Sequence, residues 1–413
     1  MPHRIVILGG GTGGTIMANR LRRALRDEAA ITVVDRDDAH VYQPGLIFVP
    51  FGLADPDHLV RSRRRYLHRD VELVRDEIDR VDVPAREVHL GSGATLPYDV
   101  LIVASGTRLV PEETEGLTGP GWMERVFPFY TGEGATALRD ALARFEGGRL
   151  VVDIVDMPIK CPVAPLEFAF LADWFLTEHG LRDRTELVYV TPLDGAFTKP
   201  TAARMLAGLL EAKRVQLVTE FNAGEVDGER GVLTSYDGRE EPFDLLVTIP
   251  LHAGQEFVDR SPGLGDDVGF VRTDLHTLQA HAAPEVFAIG DAASLPTSKA
   301  GSVTHFEADT LTANVLRHLR GEALEGSFDG HANCFIETGF DRALLIDFNY
   351  EVEPLPGRFP SERLGPLPLL RESRANHLGK LAFEWVYWHA LLPGRDLPGI
   401  SSQLRRHATK ERT

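Results

Sequence analysis

Short apolar runs rich in β-branched residues, with no polar residue alternating between them, recur along the chain and read as strands buried on both faces. The first is Arg4-Ile5-Val6-Ile7-Leu8, and Thr15-Ile16-Met17-Ala18-Asn19-Arg20-Leu21 beyond it reads as the opening turns of a helix. Ile31-Thr32-Val33-Val34-Asp35 is a second strand, while 71–74 and 87–90 read as short strands of a meander. Residues 98–104 form another buried strand that ends in the small-residue turn Ser105-Gly106-Thr107. Far downstream, 286–289 repeats that form and ends in Gly290-Asp291; in between, 148–155 and 185–191 supply two more strands. Strands separated by helical stretches predict an α/β protein built on parallel sheets.

The joint between the first strand and first helix is Gly9-Gly10-Gly11-Thr12-Gly13-Gly14. Gly9, Gly11 and Gly14 satisfy G-x-G-x-x-G in the strand–turn–helix setting that gives this spacing its meaning. The first glycine permits the tight turn, the second lets backbone approach a pyrophosphate, and the third lets helix and strand pack closely. The free N–H groups of the helix start then face the phosphates. Asp35, closing the second strand, would accept the ribose hydroxyls of an adenosine. The loop predicts a dinucleotide and leaves open whether it is NAD(P) or FAD.

Composition narrows the partners. The 413 residues are 43% hydrophobic and 25% charged, an ordered globular balance with room for two or three domains. A net charge of −17 argues against nucleic acid. Residues 361–413 reverse the sign, with nine Lys/Arg against five Asp/Glu, which suits anionic lipid and equally a solvated tail. Residues 57–70, with Arg61, Arg63, Arg64 and Arg65, read as a solvated helix face, with a phosphate or partner site as the minority reading. The first strand begins almost at Met1, leaving no room for a signal peptide, and no run reaches the length of a membrane span. A protein made and retained in the cytoplasm is expected, with no metal site. Its two cysteines, Cys161 and Cys334, are either buried bystanders or a redox pair.

The glycine loop, the Ser105-Gly106 turn and Gly290-Asp291 together resemble the two-dinucleotide-binding-domain flavoproteins, over the chain to about residue 330. That resemblance implies FAD, with Gly9, Gly11, Gly14 and Asp35 at its adenosine half, Gly106 closing the domain, and Asp291 after Gly290 at the ribityl chain. It also implies a division of the chain. Residues 1–110 and 251–330 would form a discontinuous FAD domain, 111–250 a second Rossmann-like domain, and 331–413 a C-terminal redox-cysteine and membrane-associating region. In that family the second domain ordinarily binds NAD(P)H. Here Asp156-Met157-Pro158-Ile159-Lys160-Cys161-Pro162-Val163-Ala164-Pro165 follows its first strand, without the glycines a second phosphate loop requires. Each proline removes an N–H donor, and acids repel pyrophosphate. NAD(P)H is disfavoured on these residues, and Cys161 occupies the crevice, where a helix N-terminus predicts a lowered thiol pKa.

Lys160-Cys161-Pro162 with Glu167 six residues beyond the cysteine, Asn333-Cys334-Phe335-Ile336-Glu337, and Gly379-Lys380-Leu381-Ala382-Phe383-Glu384-Trp385 resemble the sulfide:quinone oxidoreductase and flavocytochrome c sulfide dehydrogenase family, over essentially the whole chain. The resemblance implies oxidation of sulfide to polysulfide or sulfur, with Cys161 and Cys334 facing the flavin as a disulfide or sulfur-bridged pair. Sulfide would open the bridge, leaving a persulfide on Cys161 and a thiolate on Cys334 that adds to the flavin. Glu167 would handle protons near Cys161, and reads as readily as an ordinary first-turn carboxylate. Lys380 resembles the family's lysine near the flavin pyrimidine, with Lys299 a weaker match. Tyr130 stands where several members carry a third cysteine, which leaves the route of sulfur release open. No cysteine outside the pair exists to tether the flavin, so FAD should be non-covalent. The competing readings are a type II NADH:quinone oxidoreductase-like enzyme and a non-turnover persulfide carrier or sensor with structural FAD.

A membrane quinone is the expected acceptor, on the inner leaflet of the cytoplasmic membrane. The apolar stretch from Leu381 to Leu392 would span only about 18 Å as helix, too short to cross a bilayer. It reads as an interfacial, monotopic helix, and equally as a buried helix or a homodimer contact. Phe306, Phe335 and Trp385 are candidate walls of a quinone pocket, each also readable as generic core.

Overall fold

The computed structural model describes residues 1–362 and 364–404. Arg363 and the basic residues Arg405, Arg406, Lys410 and Arg412 of the expected lipid-facing end lie outside the described residues. Two five-stranded parallel sheets organise the rest. The first begins with β1 (His3–Leu8), α1 (Thr12–Leu25), β2 (Ala29–Asp35), β3 (Glu72–Arg75) and β4 (Val100–Val103). Ile5, Val6, Ile7 and Leu8 are all buried, as a strand covered on both faces requires.

The second sheet comes from the middle of the chain. Its elements are β5 (Val126–Phe127), α2 (Gly132–Leu142), β6 (Gly148–Ile154), α3 (Ala164–Glu178), β7 (Thr185–Val190), α4 (Pro200–Ala212), β8 (Val215–Val218) and β9 (Leu245–Ile249), in the order β5-β9-β6-β7-β8. The chain then returns as β10 (Val286–Ala288), which pairs with β4, Val286 opposite Leu101, and completes the first sheet as β10-β4-β1-β2-β3. α5 (Gly301–Leu319) packs on α1. An antiparallel hairpin, β11 (Ala332–Gly339) and β12 (Arg342–Phe348), carries α6 (Arg374–Val386) on top of it. α3 is apolar almost all round because β6, β7 and β11 enclose it.

Two expectations about elements change. Residues 72–75 belong to the parallel sheet, with Thr32 opposite Glu72, and only 87–90 joins an antiparallel meander. The apolar stretch from Leu381 to Leu392 is not one surface. Tyr387, Trp388, Leu391 and Leu392 are buried, in and just after a wide turn that ends the helix, while Leu378, Leu381 and Trp385 on α6 are exposed. Among the described residues no helix is long and apolar enough to cross a membrane.

Candidate functional site

The glycine loop owes its shape to the absence of side chains at two positions. Gly9 adopts φ +96°, and a Cβ there would lie 2.6 Å from the Ala104 oxygen. A Cβ on Gly14 would stand 1.9 Å from the Gly9 oxygen, so α1 rests directly on the strand end. At Gly11 the same construction meets nothing within 4 Å, which leaves open space over the start of α1. Asp35 braces the loop: its Oδ2 accepts from Gly10 N at 2.7 Å and pairs with Arg63 Nη2 at 3.1 Å. Arg63, expected on a solvated face, is buried and donates from Nε to the Gly10 oxygen at 2.8 Å. The sequence pattern offered no signal for it, because one arginine of four in a basic run turns inward.

The turn after β4 borders the same region. Gly106 has φ +67°, and the buried hydroxyls Ser105 Oγ and Thr107 Oγ1 have no hydrogen-bond partner among the described residues. Gly290, at φ +69°, donates its N–H to Glu307 Oε2 at 2.6 Å. Burial raises the Glu307 carboxyl to about 7, against the pull of that N–H. Asp291 is also pushed up by burial, with Lys299 and Lys160 opposing. Lys299 Nζ donates at 2.9 Å to the carbonyls of Asp291 and Ala293, so it clamps this turn. Open space at Gly11, a free helix start and two orphaned hydroxyls fit a polar dinucleotide such as FAD.

The redox-bridge expectation fails. Cys161 and Cys334 are both free thiols and are not close enough to form a disulfide. Each is held by its own backbone. Cys161 sits in a left-handed conformation at φ +48° with its N–H on the Lys299 carbonyl at 2.7 Å, and Cys334 is locked in the β11–β12 ladder opposite Ile346. The thiols are also not activated. Burial, then Glu167, pushes Cys161 up to about 12, and burial, then Cys161 and Glu167, raises Cys334 further. Lys380 and the Ala164 N–H at the start of α3 pull the Cys161 thiol down, and burial outweighs them.

Glu167 lies in the first turn of α3, buried, and its Oε1 takes both the Lys380 ammonium and Glu337 N at 2.7 Å. Burial raises its carboxyl and Lys380 opposes, so the two form one coupled pair. Glu337 in turn binds His377 Nδ1 at 3.0 Å. Tyr130 donates to the Cys161 carbonyl at 3.2 Å. The three candidate pocket aromatics stand in different settings: Phe306 stacks on His331 in the core, Phe335 is beside Gly379, and Trp385 is exposed and stacks on His389. His40, Glu307 and Tyr387 enter the neighbourhood of the loop and its facing turn without having been singled out in the sequence, and Arg63 was named there only as one of a basic run. None carries a local motif.

Comparison with known proteins agrees with this geometry. The pyridine nucleotide-disulphide oxidoreductase family matches residues 3–152. The mitochondrial sulfide:quinone oxidoreductase of Mus musculus is 26% identical over 398 residues, covering 95% of this chain and 87% of the relative. The crystal structure of the sulfide:quinone oxidoreductase from Aquifex aeolicus superposes with a TM-score of 0.79 at 18% identity, covering 95% of this chain and 92% of that one. The type II NADH:quinone oxidoreductase NdhA of Mycobacterium tuberculosis is 32% identical over 111 residues, 26% of this chain and 23% of the relative. NDH2 from Plasmodium falciparum, solved with NADH, shares the fold at a TM-score of 0.55 and 14% identity, over 71% of this chain and 65% of that one. The chain thus matches the pyridine nucleotide-disulphide oxidoreductase family over residues 3–152 and, along most of its length, is similar at the family level to the sulfide:quinone oxidoreductases.

Proposed function

We propose that the protein is a flavin-dependent oxidoreductase of the type II NADH:quinone oxidoreductase kind, taking an electron pair from a nicotinamide donor and passing it to a quinone. The observation that carries the flavin is the open cradle at Gly11 together with the orphaned Ser105 and Thr107 hydroxyls. FAD, when bound, supplies the two-electron chemistry. The chain binds and orients it: α1 presents N–H groups to the diphosphate, and Asp35 with Arg63 keeps the loop in its binding shape. Residues 1–110 and 251–330 would form the discontinuous FAD domain, which the return of β10 to the first sheet supports. Residues 111–250 would form the second dinucleotide domain, and 331–413 the C-terminal region.

Two free, protonated thiols leave electrons to reach the flavin from an outside donor, and the NADH-using relatives support a nicotinamide. The turn after β6 has prolines at 158, 162 and 165 and no glycine loop, so a nicotinamide donor would bind there without a second phosphate loop. The buried Glu167–Lys380 pair, with Glu337 and His377 beside it, would hold protons near Cys161. The exposed Leu378, Leu381 and Trp385 favour contact with a lipid surface, where a membrane quinone dissolves. A monotopic enzyme on the inner leaflet of the cytoplasmic membrane is the reading that such a contact supports.

Anaerobic mixing of the FAD-loaded protein with NADH, NADPH or sulfide, followed by a soluble quinone, tests the proposal. Bleaching of the flavin by a nicotinamide and its recovery on quinone addition is the expected result. A flavin that neither nicotinamide bleaches, or that sulfide alone bleaches, overturns the donor; bleached flavin that quinone leaves reduced overturns the acceptor.

A further inference from the structure

A buried chain of hydrogen bonds fastens the C-terminal segment to the glycine loop. Thr12 Oγ1 lies 2.7 Å from Tyr387 OH, Tyr387 OH lies 2.7 Å from His40 Nε2, and His40 Nδ1 lies 3.3 Å from the Gly10 oxygen. Thr12 is the first residue of α1, next to the open space at Gly11. Tyr387 and His40 are both buried. The same helix grips the segment beyond Tyr387: Asn19 Nδ2 donates to the Leu392 carbonyl at 2.8 Å, Arg23 to the Pro393 carbonyl, and Arg20 pairs with Asp396 at 3.2 Å.

Each member of the chain has one proton to give along it, so the chain has two directions. With the His40 proton on Nδ1, Thr12 donates to Tyr387, Tyr387 donates to His40, and the threonine proton is turned inward. With that proton on Nε2, His40 donates to Tyr387, Tyr387 donates to Thr12, and Thr12 is free to donate outward. Burial, with Arg63 nearby, lowers His40 to about 4, so at neutral pH the ring carries one proton and either direction is open to it. The second direction gives up the His40 Nδ1 bond to the Gly10 oxygen, a cost that a ligand must offset. The Gly10 oxygen keeps its shorter bonds from Arg63 Nε at 2.8 Å and Thr15 Oγ1 at 2.9 Å and gives up only the longest of three donors.

An anion over the start of α1 selects the outward direction. We propose that Tyr387 is a positioning residue for the dinucleotide diphosphate: through it the Thr12 hydroxyl becomes an outward donor, and diphosphate binding is coupled to the seating of residues 387–400. The proposal rests on the dinucleotide reading of the loop. By linkage, whatever affinity the seated segment adds for the ligand, the ligand returns as seating of the segment.

The test titrates FAD into the flavin-free protein, reads flavin fluorescence, and repeats the titration with ADP and adenosine as competitors. Hydrogen exchange of residues 387–400 is followed alongside. Tyr387→Phe is expected to weaken FAD and ADP about three- to tenfold, the size of one hydrogen bond, and to leave adenosine unchanged. Thr12→Val should do the same, and the double variant should lose no more than either single one. FAD should slow exchange in 387–400 in the wild type and not in Tyr387→Phe. Wild-type protein that binds no FAD overturns the dinucleotide reading and the coupling with it. FAD binding of equal strength in Tyr387→Phe, or an equal loss for adenosine, overturns the coupling alone.

Discussion

Glycine-to-alanine changes separate shape from ligand space at single residues. A Cβ on Gly14 would meet the Gly9 oxygen at 1.9 Å, and backbone cannot yield as a side chain does. Gly14→Ala should therefore lower the melting temperature of the flavin-free protein. Gly11→Ala adds a methyl to open space, so it should melt like the wild type and retain less flavin on purification. Asp153 supports a pH prediction. It is fully buried in β6, with Thr248 as its weak partner at 3.5 Å, and burial raises its carboxyl to about 8. The folded state thus holds a proton that the unfolded chain releases near its ordinary value, about 4. Its contribution to stability is complete below about pH 4, falls as pH rises through the window to about 8, and is flat above. Asp153→Asn should remove that slope, seen as a urea midpoint that exceeds the wild type's more at pH 8 than at pH 5. Arg63 teaches the opposite lesson about legibility. The motif around Gly9–Gly14 and Asp35 is readable because its parts are local, while Arg63 joins them across fifty-three positions and is visible only once the chain has folded.

At the scale of elements, α6 shows how one stretch serves two surroundings. Its start is capped by Ser373 Oγ, which accepts from Asn376 N at 3.0 Å. Asn376 is fully buried, and its amide reaches the carbonyls of Ala343, Pro368 and Arg371 at 2.9–3.2 Å, tying the helix to β12 and the loops around it. Asn376→Ala strands those carbonyls and should cost about 1–3 kcal/mol, measured by denaturant unfolding. The pattern of apolar residues marked the segment as amphipathic or buried without choosing. The choice was made by where it lies: residues up to Trp385 run along the surface of the hairpin, and from Tyr387 onward the chain turns under Arg61 and Tyr66, with the Arg61 guanidinium 4.3 Å over the Trp388 ring. The two cysteines are a sharper case. The flanking residues placed Cys161 in a strand–helix turn, where it is, while nothing around Cys334 marked the strand β11 in which it lies. Motifs carry no information on the distance between side chains that the ladder and the turn hold apart.

For the whole molecule, a chain of net charge −17 presents an apolar stripe, Leu378 and Leu381 with Trp385, on one helix. If that stripe is the lipid contact, Leu378→Ser/Leu381→Ser should reduce co-sedimentation with anionic liposomes several-fold and leave the FAD content of the purified protein unchanged. Retention of full liposome binding would assign the contact elsewhere. The near-continuous apolar strands and the glycine loop were legible because short-range spacing dictates them, while the division into two sheets was implied by the family resemblance, and the place of 72–75 in the first sheet was set by long-range pairing.

An α/β protein with a dinucleotide loop was readable from the chain alone, since strand burial, tight turns and glycine geometry are properties of neighbours in the chain. Tertiary structure decided what surrounds that loop. It turned Arg63 and Tyr387 inward, closed Lys380 onto Glu167, and kept the two thiols free and protonated. Those outcomes depend on distances and dielectric between residues far apart in the chain. Both quantities come into being only when the elements pack.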